Sequence, residues 1–163
     1  MILLTVGTFS LPFERLVKAV DTAIAEGIIK DEVFAQIGPC NYKPRNMEYV
    51  NMLQKETFDS YFQKASHIIS HAGIGIITMA LDNKKPSLVM PRLRKYGEVV
   101  NDHQLATAKK FEELGHILAV YKVEILPDGI RKLKNFVPLE RKANPQAVAY
   151  RIGRFLNSLR DLR

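Results

Sequence analysis

Two short stretches concentrate the side chains that could do chemistry. The first is "IISHAGIGIITMALD", residues Ile68–Asp82. An apolar run ends in His71. Ala72, Gly73 and Gly75 follow, and the apolar spacing then turns helical. Glycines between a strand and a helix bring backbone N–H groups close to a ligand, and the helix start adds about half a positive charge. A diphosphate can rest at such a turn without a metal. The same glycines also let a helix pack tightly on a sheet, so the spacing admits both readings. The second stretch is "EVVNDHQLATA". Here Asn101, Asp102, His103 and Gln104 crowd a helix start. Capping needs only one of them. The surplus offers directional donors and acceptors suited to a hydroxyl-rich ligand such as a sugar.

Other chemistries find less support. A dinucleotide fingerprint needs G-x-G-x-x-G. The first turn offers only Gly7, and Thr78 stands at the third glycine position of the later turn. No P-loop pattern and no D-x-D occur. His67 and His71 are four apart but fall on a strand and its exit, and Asp102–His103 lacks an H-x-x-x-H partner. No metal site is expected. No G-x-S-x-G elbow is present. Cys40 sits between Pro39 and Pro44 with no histidine close in sequence.

The elements that position these residues follow from periodicity. "ILLTV", Ile2–Val6, is a fully apolar run suited to a strand buried on both faces. "GTFS" turns the chain, and Ser10 or Leu11 is expected to cap a helix with Pro12 in its first turn. Phe13, Leu16, Val17, Val20 and Ile24 continue it, and Gly27 ends it. Further strands are predicted at Val33–Gly38, weakly within Met47–Leu53, at His67–Ser70, between Pro86 and Pro91, and at His116–Tyr121. Helices are predicted from Thr57 to Ala65 with Thr57 as cap, and from Gly73 to Asp82. A further helix runs from an Asn101 or Asp102 cap to Gly115. The last starts at Pro145, with Asn144 as cap. Its stripe of Val148, Ile152, Phe155 and Leu159, beside Arg151, Arg154 and Arg160, is expected to dock mostly on the chain's own sheet. Its end is expected to reach a partner or anionic lipid.

Strands alternating with helices predict an α/β fold, a Rossmann-like parallel sheet with helices on both faces and right-handed crossovers. Ligands in such sheets bind beyond the carboxyl ends of the strands, where the strand order reverses. Gly7–Ser10, His71–Gly75 and Arg92–Gln104 are therefore expected on one rim.

Composition bounds the function. Residues 1–163 are read as one domain with a proper core. A single cysteine excludes an internal disulfide and fits a reducing compartment. No apolar run reaches transmembrane length, and no cleaved leader is read at "MILLTVGTF". The formal net charge of +7 admits nucleic acid, an anionic membrane or phosphorylated substrates. "PRLRKYGE" and "IRKLKNFVPLERK" hold two basic clusters. Neither an RNP aromatic run nor zinc-type Cys/His spacing accompanies them, so no nucleic-acid partner is expected.

"SHAGIGIITMAL", "KPSLVMP", "KYGEVVNDHQLATA" and "LGHILAV", with the opening "TVGTFSLPFERLVKAVD", together resemble the C-terminal, donor-binding half of GT-B glycosyltransferases of family 28. The likeness is strongest to stand-alone members: the PssE-type subunits of bacterial exopolysaccharide and capsule synthesis, and relatives of the catalytic subunit of the eukaryotic dolichol-linked N-acetylglucosaminyltransferase. The resemblance implies an inverting hexosyltransferase subunit with a UDP-sugar as donor substrate, no metal and no other cofactor. Gly7 and Thr8 would line the cleft near the diphosphate. His71, Ala72, Gly73 and Gly75 would present the helix start to it. Asp102, His103 and Gln104 would contact the sugar or ribose. The loop from Arg92 to Glu98 would add cationic contacts to phosphates or a partner. A membrane-anchored partner subunit would hold the polyprenyl-diphosphate-linked saccharide acceptor, and the chain would sit in the cytoplasm, peripheral at the inner face of the membrane. The catalytic base is not assigned, with His71 as the candidate. The competing reading is a non-catalytic accessory subunit.

Overall fold

Every described strand is short, and three of the six are buried along their whole length, as in a sheet covered on both faces. In the computed structural model, which describes residues 1–141 and 145–160, the strands are β1 (Ile2–Thr5), β2 (Val33–Gln36), β3 (Glu48–Val50), β4 (His67–His71), β5 (Ser87–Met90) and β6 (Leu118–Ala119). They form one parallel sheet in the order β3-β2-β1-β4-β5-β6. β1 lies between β2 and β4, with Leu4 opposite both Ala35 and Ile69. The order reverses at β1, so the crevice between β1 and β4 is where a ligand should enter.

The helices are α1 (Glu14–Ala25), α2 (Lys55–Lys64), α3 (Ile74–Asp82), α4 (His103–Glu113), α5 (Leu126–Leu133) and α6 (Pro145–Arg160). On one sheet face, Ile2, Leu4, Ala35 and Leu88 meet Leu16, Val17 and Val20 of α1 and Leu126, Ile130 and Leu133 of α5. On the other, Leu3 and Ile68 meet Phe62 of α2 and Ala80 of α3, and Val89 meets Ile77 of α3 and Ala108 of α4. Alternate residues of β1 thus face opposite layers, as the pleat requires.

Several expected boundaries move. α1 starts at Glu14 behind Phe13, not at a Ser10 or Leu11 cap, because the backbone N–H of Phe13 binds Cys40 Sγ and the Leu11 and Pro12 carbonyls bind Arg92. α2 begins two residues before Thr57, behind Gln54. β6 is only two residues of the expected six. α5 was not expected at all. Asn144 lies outside the described residues. The apolar stripe of α6 is exposed, contrary to the expected docking on the sheet, and α6 contributes nothing to the three core clusters. Both sheet faces are already covered by the other helices.

Candidate functional site

The site is built where β1 and β4 run out side by side. Gly7 follows β1 with φ +79, and His71 ends β4. A Cβ placed on Gly7 would lie 2.6 Å from His71 Cε1, and one on Gly73 would lie 2.3 Å from His71 Nε2. The two glycines are therefore the slot that admits the imidazole. Gly73 is also the N-cap of α3, and no side chain caps that helix. Its first N–H groups point at the rim with the positive end of the helix dipole.

His71 is held neutral. Burial pushes its pKa down to about 4, the nearby Arg92 guanidinium adds to the fall, and the Thr5 backbone opposes it. Its Nδ1 is buried without a hydrogen-bond partner. The folded-state value lies below the unfolded value of about 6.5. The stability linked to it is therefore full above about pH 6.5 and is lost as pH falls toward 4, on the order of 3 kcal/mol in all. NMR titration of the His71 ring is expected to show a midpoint near 4. His71→Asn should flatten the acid side of the stability curve between those pH values; a midpoint above 6 would contradict this environment.

Two clefts open on either side of this ring and share Thr8 and His71 as walls. The first, of about 410 Å³, is lined by Leu53, Phe58, Ile76 and Met79, with Thr5, Gln36 and Lys55 among its polar groups. The second, of about 630 Å³, is lined by Phe9, Ser10, Val99, Asn101, His103 and Gln104 among others. A largely apolar cleft and a more polar one thus meet beside the start of α3.

Of the expected site residues, Gly7, Thr8, His71 and Gly75 border the first cleft, and Thr8, His71, Asn101, His103 and Gln104 border the second. Gln104 is buried, and its Oε1 accepts the backbone N–H of Arg92 at 3.1 Å. Asn101 Oδ1 accepts the His103 backbone N–H and also meets the His103 ring. Ala72 is in the core under α3. Asp102 precedes α4 and accepts the Arg94 N–H, outside both clefts.

Arg92 and Glu98 do not reach a ligand as expected. Arg92 is 0% exposed. Its Nη1 donates to the carbonyls of Leu11, Pro12 and Glu98 at 2.8, 3.2 and 3.0 Å, and its Nη2 donates to Val6 at 2.8 Å. The Glu98 carboxylate, also buried, grips Arg15 through two bonds of 2.9 Å and accepts the Leu93 N–H. These charges brace the loop after β1 against the loop after β5, which are the facing walls of the second cleft. Among the described residues, no three His, Cys, Asp or Glu side chains gather as a metal site.

Sequence reasoning missed the floor of the first cleft: Gln36, Leu53, Lys55, Phe58, Ile76 and Met79. Gln36 had a readable signal. It is a polar residue at the carboxyl end of an otherwise apolar strand, and its side chain binds Leu53 N–H while reaching Thr5 Oγ1 and the Gly7 carbonyl.

Comparison with known proteins agrees with this architecture. Over 83 residues the chain is 37% identical to the UDP-N-acetylglucosamine transferase subunit ALG13 of Candida glabrata, a stretch covering 48% of this chain and 39% of that protein. The chain thus spans well under half of that relative. Among solved structures, the ALG13 solution structure aligns with 89% of this chain and 91% of its own, at a TM-score of 0.59 and 18% identity. The kitacinnamycin glycotransferase aligns with 81% of this chain and 34% of its own, at 0.61 and 20%. MurG of Acinetobacter baumannii aligns with 82% and 40%, at 0.55 and 21%. These three share the fold, that of the C-terminal half of GT-B glycosyltransferases. Residues 1–152 match the glycosyltransferase family 28 C-terminal domain, and the chain belongs to that family.

Proposed function

We propose that residues 1–163 form the donor-binding subunit of a two-component hexosyltransferase, of the PssE type that serves bacterial exopolysaccharide and capsule synthesis. One observation carries the reading: two clefts of unlike chemistry meet at a neutral histidine and an uncapped helix start. The start of α3 and Thr8 receive the diphosphate of a UDP-sugar. The apolar cleft takes the flat uracil and its ribose, with Gln36 and Lys55 at hand for their polar groups. The polar cleft takes the hexose, whose hydroxyls meet Asn101, His103 and Gln104. An acceptor hydroxyl attacks the anomeric carbon from the open side, the bond to UDP breaks, and the configuration inverts. The helix dipole stabilises the leaving UDP without a metal.

The proton of the acceptor needs a base. A conjugate-acid pKa near 4 makes His71 a weak one at neutral pH, which supports a base supplied by the partner. That partner is a membrane-anchored subunit carrying the polyprenyl-diphosphate-linked saccharide, and it holds this chain at the inner face of the membrane. Phe9, Ile74 and Val100 are large, apolar and exposed around the site, which supports a protein closing over it. The similarity to a protein named as a transferase subunit supports the division of labour.

Calorimetric titration in EDTA tests the donor site. UDP is expected to bind without metal and to raise the His71 midpoint by about one unit or more, since a nearby anion favours imidazolium. His103→Ala should weaken the preferred UDP-hexose about three- to tenfold. Transfer should require membranes containing the partner. Absence of UDP binding would overturn the reading. Unimpaired transfer by a His103→Ala/Gln104→Ala double variant would leave only an accessory role.

A further inference from the structure

The polar atoms of the first cleft sort into two kinds. Its buried acceptors are already taken by the protein. Gln36 Oε1 accepts the Leu53 N–H at 3.1 Å, and Thr5 Oγ1 accepts the Gly7 N–H at 3.1 Å and the Gln36 side-chain amide at 3.4 Å. Among the described residues, no Asp or Glu lines this cleft. Its donors are still to be had. Gln36 Nε2 makes contacts only at 3.4 Å, to Thr5 Oγ1 and the Gly7 carbonyl, long enough to yield to a better acceptor. Lys55 Nζ pairs with Asp59 along α2, but its side chain is 80% exposed and can swing over the mouth. The rest of the wall is carbon and sulfur, from Leu53, Phe58, Ile76 and Met79.

This division acts differently on the two parts of a nucleoside. Uracil and thymine turn a carbonyl outward where cytosine turns an amino group. A cleft with donors to spare suits the first pair, and its apolar wall receives the thymine methyl. A pentose hydroxyl is read only where a buried partner waits for it, and such a site strongly rejects the analogue that lacks the hydroxyl. Here the buried acceptors are spent. Resting on the donor-site reading above, we infer that this cleft selects a pyrimidine with two carbonyls and does not read the 2′-hydroxyl. Its ligand class is then wider than uridine: ribo- and deoxyribonucleoside diphosphate sugars of uracil or thymine fit alike. Lys55 is the residue that favours the carbonyl edge.

Calorimetric titration of the purified full chain in EDTA with UDP, dUDP, thymidine diphosphate and CDP tests it. The first three are expected to bind within about threefold of one another. CDP should bind about tenfold or more weakly, since an amino group facing donors loses its water without gaining a partner. Lys55→Met should weaken UDP about three- to tenfold and CDP less, so that the ratio between them narrows. The exposed Lys55 side chain makes this variant safe for folding. Rejection of dUDP by about tenfold or more would overturn the proposal, because the 2′-hydroxyl would then have a partner in the cleft. CDP bound as tightly as UDP would overturn the choice of base. So would an equal loss of both nucleotides in Lys55→Met, which would make the lysine a phosphate contact. Absence of binding by all four would instead remove the donor-site reading, and this inference with it.

Discussion

Gly7→Ala is expected to destabilise the protein by about 2–5 kcal/mol and to remove measurable UDP binding. Two separate costs combine. The backbone at φ +79 is strained for any residue with a Cβ, by about 1–2 kcal/mol. The new methyl would also stand 2.6 Å from His71 Cε1, and crowding of this kind adds about 1–3 kcal/mol. Gly73→Ala separates these effects. Its φ is −79, open to any residue, so only the clash at 2.3 Å from His71 Nε2 remains. The ring must then swing toward the clefts it divides. Stability should fall by about 1–3 kcal/mol, the crowding cost without the backbone cost. UDP affinity should fall about tenfold or more, because a displaced ring fills ligand space. A His71→Ala/Gly73→Ala double variant should recover part of that loss, a coupling that a double-mutant cycle reads directly. Urea unfolding and calorimetry measure the two quantities. Wild-type UDP affinity in Gly73→Ala would show that the ring does not shape the donor site.

Arg92→Met is expected to cost about 3–5 kcal/mol, the range for breaking a buried charged network. The guanidinium is fully buried and answers four carbonyls. Methionine fills much of the volume but leaves those carbonyls unpaired, and each unpaired buried group carries its own penalty. Arg92→Lys keeps the charge but offers three donors on one nitrogen, without the planar fork that spans the two loops. It should recover only part of the loss. The effect should be nearly independent of salt, unlike that of a surface ion pair. A shift in urea midpoint equivalent to less than about 1 kcal/mol would show that the loops are held by other means.

The parts of the fold with simple periodicity were legible beforehand. The parallel sheet, the helix layers and the gathering of three distant segments on one rim all follow from apolar runs separated by helical stretches. What escaped was direction. Arg92 and Glu98 stand in a basic loop beside a candidate anion site, and charge near such a site reads as ligand contact. Only packing shows that both turn inward. α5 escaped for the opposite reason. "LPDGIRKL" contains a proline and a glycine, which read as breakers. Pro127 falls in the first turn, where it is tolerated, and Gly129 packs where a Cβ would stand 2.7 Å from Val120. The residue that looks like an interruption is what lets the helix reach the sheet. The exposed stripe of α6 was legible as a stripe, but its surroundings were not, since periodicity gives a face and never its occupant.

The Arg92 brace has a consequence for how this protein can change. Its guanidinium hydrogen-bonds only main-chain oxygens, one just after β1, two before α1 and one at Glu98, and it lies over the rings of Phe13 and Phe9 at 4.9 and 5.8 Å. Every residue type carries that oxygen. The four hydrogen bonds are therefore blind to side-chain identity, whereas the ring contacts hold Phe9 and Phe13. Thr8 and Ser10, and Val99 and Val100 across the cleft, can be exchanged without touching these bonds. Side chains in these walls can thus change while the distance between them stays constant. A scaffold fastened by one side chain mainly through backbone oxygens lets the cleft walls vary while the fold is maintained.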